Sequence, residues 1–596
     1  MTVDQLIVSL VILFLLLSLY KNFFGAGFTF VIGVTVLGVS GILTPREMLH
    51  GFANEQIAVI ILLLLIGEVI RKSALIDSLF NRFFNRTHTY KGFIAKLIFP
   101  VAALSSMINN TPLVAILMPY VHNWGSRNGI ASSKLLIPLS FAAMLGGMAT
   151  LIGTSTNLVV NGMVQDQKII PGFTSLDIFD FAPVGISMII IGGLYLVFFG
   201  YRLLPENKDV KEELSEKPRE YIVEVMVNKG SEYHEKSIEQ AGLRNLKGLF
   251  LAEIYRGEGR ISPVGPHTII KEDDLLIFAG NTHTIADMVE NNSNIQPSQL
   301  GMFAKRNKAE VLEVFITPNS SLENKTVKES RFRSRFNAAI LAIHRNGEKI
   351  GGKIGEVELK SGDLLLLVTG TDFLSLARET NDFFLVDKVR SIEKMPVLQS
   401  LLMISGLVTS VVLASLKIVP LFTCLMVFLI VLLLTKTASP KELYRGLNFN
   451  LIFIIALALA LGMAMIKTNI AFLISHTFLS VIQPYGIVAI LAGIFVITNI
   501  LASIITNIGA VAIIFPISLS IALELGVNPK PFVLIVAYAA AASFITPIGY
   551  QTNLMVYGPG GYTFKDFMRI GWPLSLMFLV VAVGVLVLQF KVKLGG

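Results

Sequence analysis

The chain has 596 residues, 53% of them hydrophobic and only 15% charged, with a formal net charge of +8. A water-soluble fold of that composition would have too few polar side chains to wet its surface, and several stretches exceed the roughly 18 apolar residues that cross a bilayer as a helix. The single cysteine, Cys424, rules out an intrachain disulfide framework or thiolate metal site, and no nucleophile–base constellation or metal spacing suggests an enzyme.

Charge is distributed in blocks. Residues 204–396 hold 27 of the 49 Lys/Arg and 30 of the 41 Asp/Glu. The basic surplus therefore lies in the short loops of the apolar remainder, where it orients membrane helices. It is not read as a nucleic-acid surface. The expected layout is a first membrane repeat over 1–203, a polar insert in two units over 204–300 and 301–396, and a second membrane repeat over 397–596. Residues 6–20 and 23–43 form two spans rather than a signal peptide, because the run is too long and lacks a small-residue cleavage site.

The next elements carry the polar interruptions. An apolar stretch, 97–108, meets Asn109-Asn110-Thr111-Pro112, and a second runs on to Met118. Polar groups inside an apolar segment are costly unless they are paired or line a cavity. The pattern predicts a re-entrant hairpin, with Thr111 as N-cap and Pro112 opening the second helix. Its free amides would suit an anion. Further on, Gly153-Thr154-Ser155-Thr156-Asn157 breaks another apolar helix and exposes carbonyls and hydroxyls.

The insert repeats internally every 89 residues or so: Lys236-Ser237-Ile238 recurs as Lys325-Thr326-Val327, and Asp274 with LLIFAG as Asp363 with LLLLVTG. Each unit predicts strands at 221–227 and 311–316, then at 248–255 and 337–344, a strand after the acidic turn, and a closing helix at 282–290 and 372–380. The units resemble the regulatory TrkA-C (RCK-C) domain. That likeness implies an α+β fold, pairing of the units and a nucleotide-like effector. Arg331, Arg333 and Arg335 are candidates to read its phosphate, or else one solvated edge.

The second membrane block mirrors the first at an offset near 396. SMINNTPLVAILMP (106–119) aligns with SIITNIGAVAIIFP (503–516), and TLIGTSTNLVVNG (150–162) with TPIGYQTNLMVYG (546–558). Asn, Gly, Thr and Pro recurring in register are not an accident of apolar composition. Loop charges run in opposite senses: 71–96 carries Arg71, Lys72, Arg82, Arg86, Lys91 and Lys96 against Asp77, whereas 467–485 has only Lys467. The expected fold is therefore an α-helical polytopic membrane protein of two inverted repeats, each with five spans and a re-entrant hairpin. The insert would be cytoplasmic, both termini outside, and the membrane the inner (plasma) membrane.

These motifs resemble the divalent anion/Na⁺ symporter family, in its sulfate-permease branch. The resemblance implies Na⁺-coupled symport of a small divalent anion, sulfate first, by an elevator motion, with Na⁺ as coupling ion, no organic cofactor, and a homodimer in the lipid bilayer. Carried over by position, Asn110, Thr111 and Asn507 contact the anion, with Thr156, Asn157, Thr552 and Asn553 from the breaks beside them. Ser105, Asn109, Asn110 and Gly153 form one Na⁺ site, and Ala502, Thr506, Asn507 and Gly549 its mirror. Asn109 and Thr506 stand where the family has Ser, and Ile508 where it has Thr, so coordination should be asymmetric. Alternatives are a dicarboxylate substrate, Na⁺/H⁺ antiport, which needs a membrane carboxylate that these motifs lack, and a channel gated by the insert. Glu68, beside Arg71 and Lys72, reads as a structural ion pair, and the loop histidines His50, His88 and His122 carry no role.

Overall fold

The computed structural model describes residues 2–70, 87–207, 222–243, 249–280, 295–297, 311–385 and 397–590, apart from isolated positions and pairs within these ranges and residues 444–448. The first block forms α1 (Val3–Lys21), α2 (Ala26–Val39), α3 (Pro45–His50), α4 (Glu55–Ile70), α5 (Tyr90–Ser105), α6 (Asn110–Arg127), α7 (Leu136–Gly147), α8 (Ser155–Asp166) and α9 (Ala182–Leu203). Starts are written locally. Thr44 and Glu47 close a capping box ahead of α3, and Pro45 takes the first helical position. At α3–α4 the chain bends by 43°.

The insert holds two five-stranded antiparallel sheets. The first is built from β1 (Ile222–Val227), β2 (Leu249–Arg256), β3 (Gly259–Ile261), β4 (Leu275–Gly280) and β5 (Ile295–Pro297), in the order β3-β2-β4-β1-β5. The second uses β6 (Val311–Ile316), β7 (Ala338–Arg345), β8 (Glu348–Lys349), β9 (Leu364–Thr369) and β10 (Phe383–Leu385), in the same topology, β8-β7-β9-β6-β10. Two short helices, α10 (Phe332–Phe336) and α11 (Phe373–Arg378), lie in the second unit. Both β2 and β7 carry a register shift at matching positions, Leu251/Glu253 and Ile340/Ala342. Both units pin their acidic turn in the same way: Arg256 grips Asp274 with two bonds of 2.8 Å, and Arg345 grips Asp363 with two of 2.7 Å. The helix expected at 372–380 is followed by an unforeseen edge strand, β10, while 282–290 lies outside the described residues.

The second block forms α12 (Val397–Ser415), α13 (Leu421–Leu434), α14 (Phe449–Lys467), α15 (Ile470–Ile482), α16 (Gly486–Ile504), α17 (Asn507–Glu524), α18 (Lys530–Ala541), α19 (Gln551–Tyr557) and α20 (Phe564–Gln589). Among the described residues, seven helices are long and apolar enough to cross a membrane, or eight if the bent pair is one span. The chain is thus a multi-pass membrane protein. The arms α5 and α6 have 16 and 18 residues, longer than the apolar stretch 97–108 and the run to Met118 that suggested them, and α16 and α17 have 19 and 18. Half-polar turns such as Tyr120–Arg127 extend the helix beyond its apolar core.

The second sheet is seated on the membrane block. Phe315 of β6 and Leu364 of β9 are buried in the same apolar core as the membrane helices. A Cβ on Gly558, just past α19, would collide with the carbonyl oxygen of Gly362 in the turn before β9. Nearby, Asn207 Nδ2 donates to Gly561 O at 2.6 Å, tying the entry of the insert to the same loop.

Candidate functional site

The polar interruptions fold into two similar constructions. In the first, α5 ends at Ser105 and α6 begins at Asn110. Asn109, not Thr111, is the N-cap, and its side chain accepts from Thr111 N at 3.3 Å. Helix α6 therefore opens two residues earlier than Pro112 suggested, because an Asn at the preceding position already caps the chain. The counterpart cap is Thr506, which accepts from Gly509 N at 3.0 Å.

The breaks are fastened to the hairpin ends by a threonine. Thr150 Oγ1 donates to Ser106 O and accepts from Gly153 N at 3.1 Å. Thr546 Oγ1 donates to Ser503 O at 3.0 Å and accepts from Gly549 N at 3.1 Å. Behind each loop an asparagine braces its carbonyls. Asn157 Nδ2 donates to Thr150 O at 2.8 Å, while Asn553 Nδ2 donates to Ser543 O at 2.9 Å and Thr546 O at 3.2 Å. Thr552 Oγ1 lies 2.8 Å from Ser140 Oγ, and Thr156 is buried. Asn157, Thr552 and Asn553, expected beside the anion, make these bonds at the break, and Asn157 Oδ1 is buried without a partner. Bracing a break and meeting a substrate both call for buried amides and hydroxyls.

The hairpin asparagines are the centre of each construction. Asn110 is fully buried, and its Oδ1 accepts from Ser105 Oγ. Its Nδ2 donates to Tyr550 Oη at 2.7 Å, and Thr154 Oγ1 lies 2.9 Å from the same phenol oxygen. Thr111 Oγ1 donates to Gln551 Oε1 at 3.0 Å. The first hairpin tip thus meets the break of the second block, not its own alone. Tyr550 and Gln551 were missed as site residues; the only signal for them was their place in the repeated break.

Asn507 is half-buried. Its amide is oriented with Nδ2 toward Gly549 O (2.6 Å) and Ser543 Oγ (3.2 Å), since an oxygen there would face only acceptors. Ala502 and Ile508 are buried and apolar beside it, and Ser503 Oγ is a buried hydroxyl without a partner.

At the first tip the donor set suits a hard cation. A Cβ on Gly153 would stand 2.6 Å from Gly147 O and 2.9 Å from Ser105 O, so two carbonyls converge on a position only glycine leaves open. Asn110 Oδ1, bonded to Ser105 Oγ, would lie 2.7 Å from a Cβ on Gly147. Oxygen-only donors of this kind fit an ion such as Na⁺. Ser105, Asn110 and Gly153 are brought together as expected, whereas the side chain of Asn109 is spent on its cap. In the mirror set, Asn507 and Gly549 meet, and the Thr506 hydroxyl caps α17.

Elsewhere, Arg335 donates to Asp382 at 2.6 Å and to Ser321 at 2.7 Å, Arg333 is also engaged, and Arg331 is exposed. His122 pairs with Ser132 at 2.7 Å, and His50 lies 3.5 Å from Asp166. Arg71, Lys72 and His88 lie outside the described residues.

The family model for citrate transporters matches residues 10–498 and, in an overlapping second match, 411–595. A putative sulfur deprivation response regulator of Chlamydomonas reinhardtii is 32% identical over 571 residues, covering 94% of this chain and 97% of that protein. An uncharacterized transporter of Synechocystis is 31% identical over 597 residues, covering 97% and 96%. Sodium/sulfate cotransporter 1 of Chlamydomonas reinhardtii is 22% identical over 751 residues, covering 92% and 85%.

Proposed function

The chain belongs to the citrate transporter family, whose members are transporters and not enzymes, and from that premise we propose that it carries out Na⁺-coupled symport of sulfate. The observation that carries this reading is the crossing of the first hairpin tip with the second break, Asn110 to Tyr550 and Thr111 to Gln551. It places uncharged donors from both blocks around one point. A dianion held by amides, hydroxyls and helix N-termini needs compensating charge, and Na⁺ beside Ser105, Asn110 and Gly153 supplies it. Sulfate as the substrate rests on the names of the relatives.

In this reading Asn110, Thr111 and Asn507 contact the anion, and the second Na⁺ lies by Ala502, Thr506, Asn507 and Gly549. The two membrane blocks are inverted repeats, the insert is cytoplasmic, the termini are outside, and the protein works as a homodimer in the inner membrane. The hairpins and broken helices slide as one body. The insert is a TrkA-C-like pair that senses a small effector and acts through its seat on the Gly558 loop.

The test is radiolabelled sulfate uptake into proteoliposomes with and without a Na⁺ gradient, competed by thiosulfate, succinate and citrate. Asn110→Ala and Asn507→Ala should each lower uptake at least about 30-fold in protein that remains monodisperse, as removal of two or more kcal/mol of binding predicts. Normal Na⁺-dependent uptake in both variants would sink the reading. The family description favours a second substrate, a carboxylate; it gains the field if citrate or succinate is carried and sulfate is not.

A further inference from the structure

We infer that Tyr550 is the internal ligand of the anion site: its hydroxyl holds the place of a substrate oxygen between Asn110 and Thr154, and the anion binds by displacing it. The inference rests on the anion site proposed above.

Asn110 has no exposed surface, and Thr154 almost none. The amide oxygen of Asn110 is committed to Ser105 and its nitrogen to the phenol, 440 residues away in sequence. One of the two N–H groups of that amide is thus taken, and it can reach a substrate oxygen only when the phenol withdraws. Thr154 is the N-cap residue of α8, yet its side chain caps none of that helix's amides; it turns to the phenol instead. Two groups of the first block thus converge on one oxygen of the second, as they would on an oxygen of a tetrahedral oxyanion. The matched positions of the two breaks are Thr154 and Tyr550. Only the longer side chain reaches across, so the device exists once, on the first tip.

Its energetics follow from the dryness of the site. A buried N–H without an acceptor costs about 1 to 3 kcal/mol, which the phenol avoids in the empty protein. A charged oxygen makes the stronger bond and replaces it, but against the competition of the phenol.

Tyr550→Phe keeps the ring and removes the competing oxygen. In sulfate uptake by proteoliposomes its KM should fall by roughly three- to tenfold, the worth of one hydrogen bond, with kcat within about twofold. Tyr550→Leu, which also lacks the competing oxygen and leaves Asn110 and Thr154 in place, should lower KM in the same way, and it decides the matter if Tyr550→Phe does not fold. An unchanged or raised KM, alongside abolished uptake in Asn110→Ala, overturns the role of Tyr550 and leaves the anion site standing. Normal uptake in Asn110→Ala overturns both.

Discussion

At residues 147–157 and again at 543–553 the chain breaks a helix with one hydrogen-bond plan: a threonine ties the loop to the hairpin, a glycine follows it, and an asparagine braces the carbonyls behind. The finish differs. The hydroxyl that partners the hairpin asparagine comes from Ser105 on the hairpin in the first block and from Ser543 on the break in the second. At the matched positions stand Ala502 and Gly147. Each block thus keeps one serine for its asparagine but mounts it on the opposite wall. Ser140 adds a further difference, since it donates to Asn553 Oδ1 at 2.7 Å, whereas Val536 stands at its counterpart and Asn157 Oδ1 has no partner. A duplicated scaffold can be conserved in backbone while its hydroxyls are redistributed, and that redistribution makes the two tips unequal.

The largest effect that would sharpen this comparison is at the paired glycines. A Cβ on Gly153 would stand 2.6 Å from one backbone carbonyl oxygen and 2.9 Å from another, whereas one on Gly549 meets Thr546 Oγ1 at 2.9 Å and Ser543 Cβ at 3.0 Å, with backbone first at 3.3 Å. Gly153→Ala should cost about 3 kcal/mol and abolish Na⁺-dependent uptake, and Gly549→Ala about 1 kcal/mol. Thermal unfolding in detergent measures both, and equal losses would break the distinction.

The serine exchange should show next. Ser105→Ala leaves the buried Asn110 Oδ1 without its hydroxyl donor and should cost about 2 kcal/mol. Ser543→Ala should cost about half as much, because Asn507 is half-buried and keeps Gly549 O. The same unfolding series reads it.

The insert offers a smaller version of the contrast. His344 of β7 is buried, and burial, aided by Lys349, depresses its pKa from 6.5 to about 4; its counterpart in the first unit is Tyr255. The unfolded chain therefore binds a proton that the folded unit refuses, so stability is present above pH 6.5 and is lost as pH falls toward 4. The second unit should weaken by about 1 kcal/mol between pH 7.5 and 6. Limited proteolysis of the insert in the intact protein across that range should show the change, and His344→Gln should flatten it.

Much of the candidate site was legible before any fold was known. Asn110, Asn507, Gly153 and Gly549 announce themselves because polar or flexible residues inside apolar helices are costly and recur at one spacing. Tyr550 and Ser140 did not, because a phenol or serine near apolar sequence has an ordinary structural reading. The capping residue of α6 was misplaced for a similar reason: in Asn109-Asn110-Thr111 all three side chains can cap, and only the path of the chain out of α5 selects Asn109.

The residues by themselves determined the membrane class, the charged insert, the repeat spacing and the positions of the four interruptions, since each follows from the cost of placing polar groups in apolar surroundings. Tertiary structure alone decided which partner each polar group found. The first tip closes on the second break, and Tyr550 fills it, because those contacts join segments some 440 residues apart. Hydrogen-bond donors carry no address along the chain; packing supplies one.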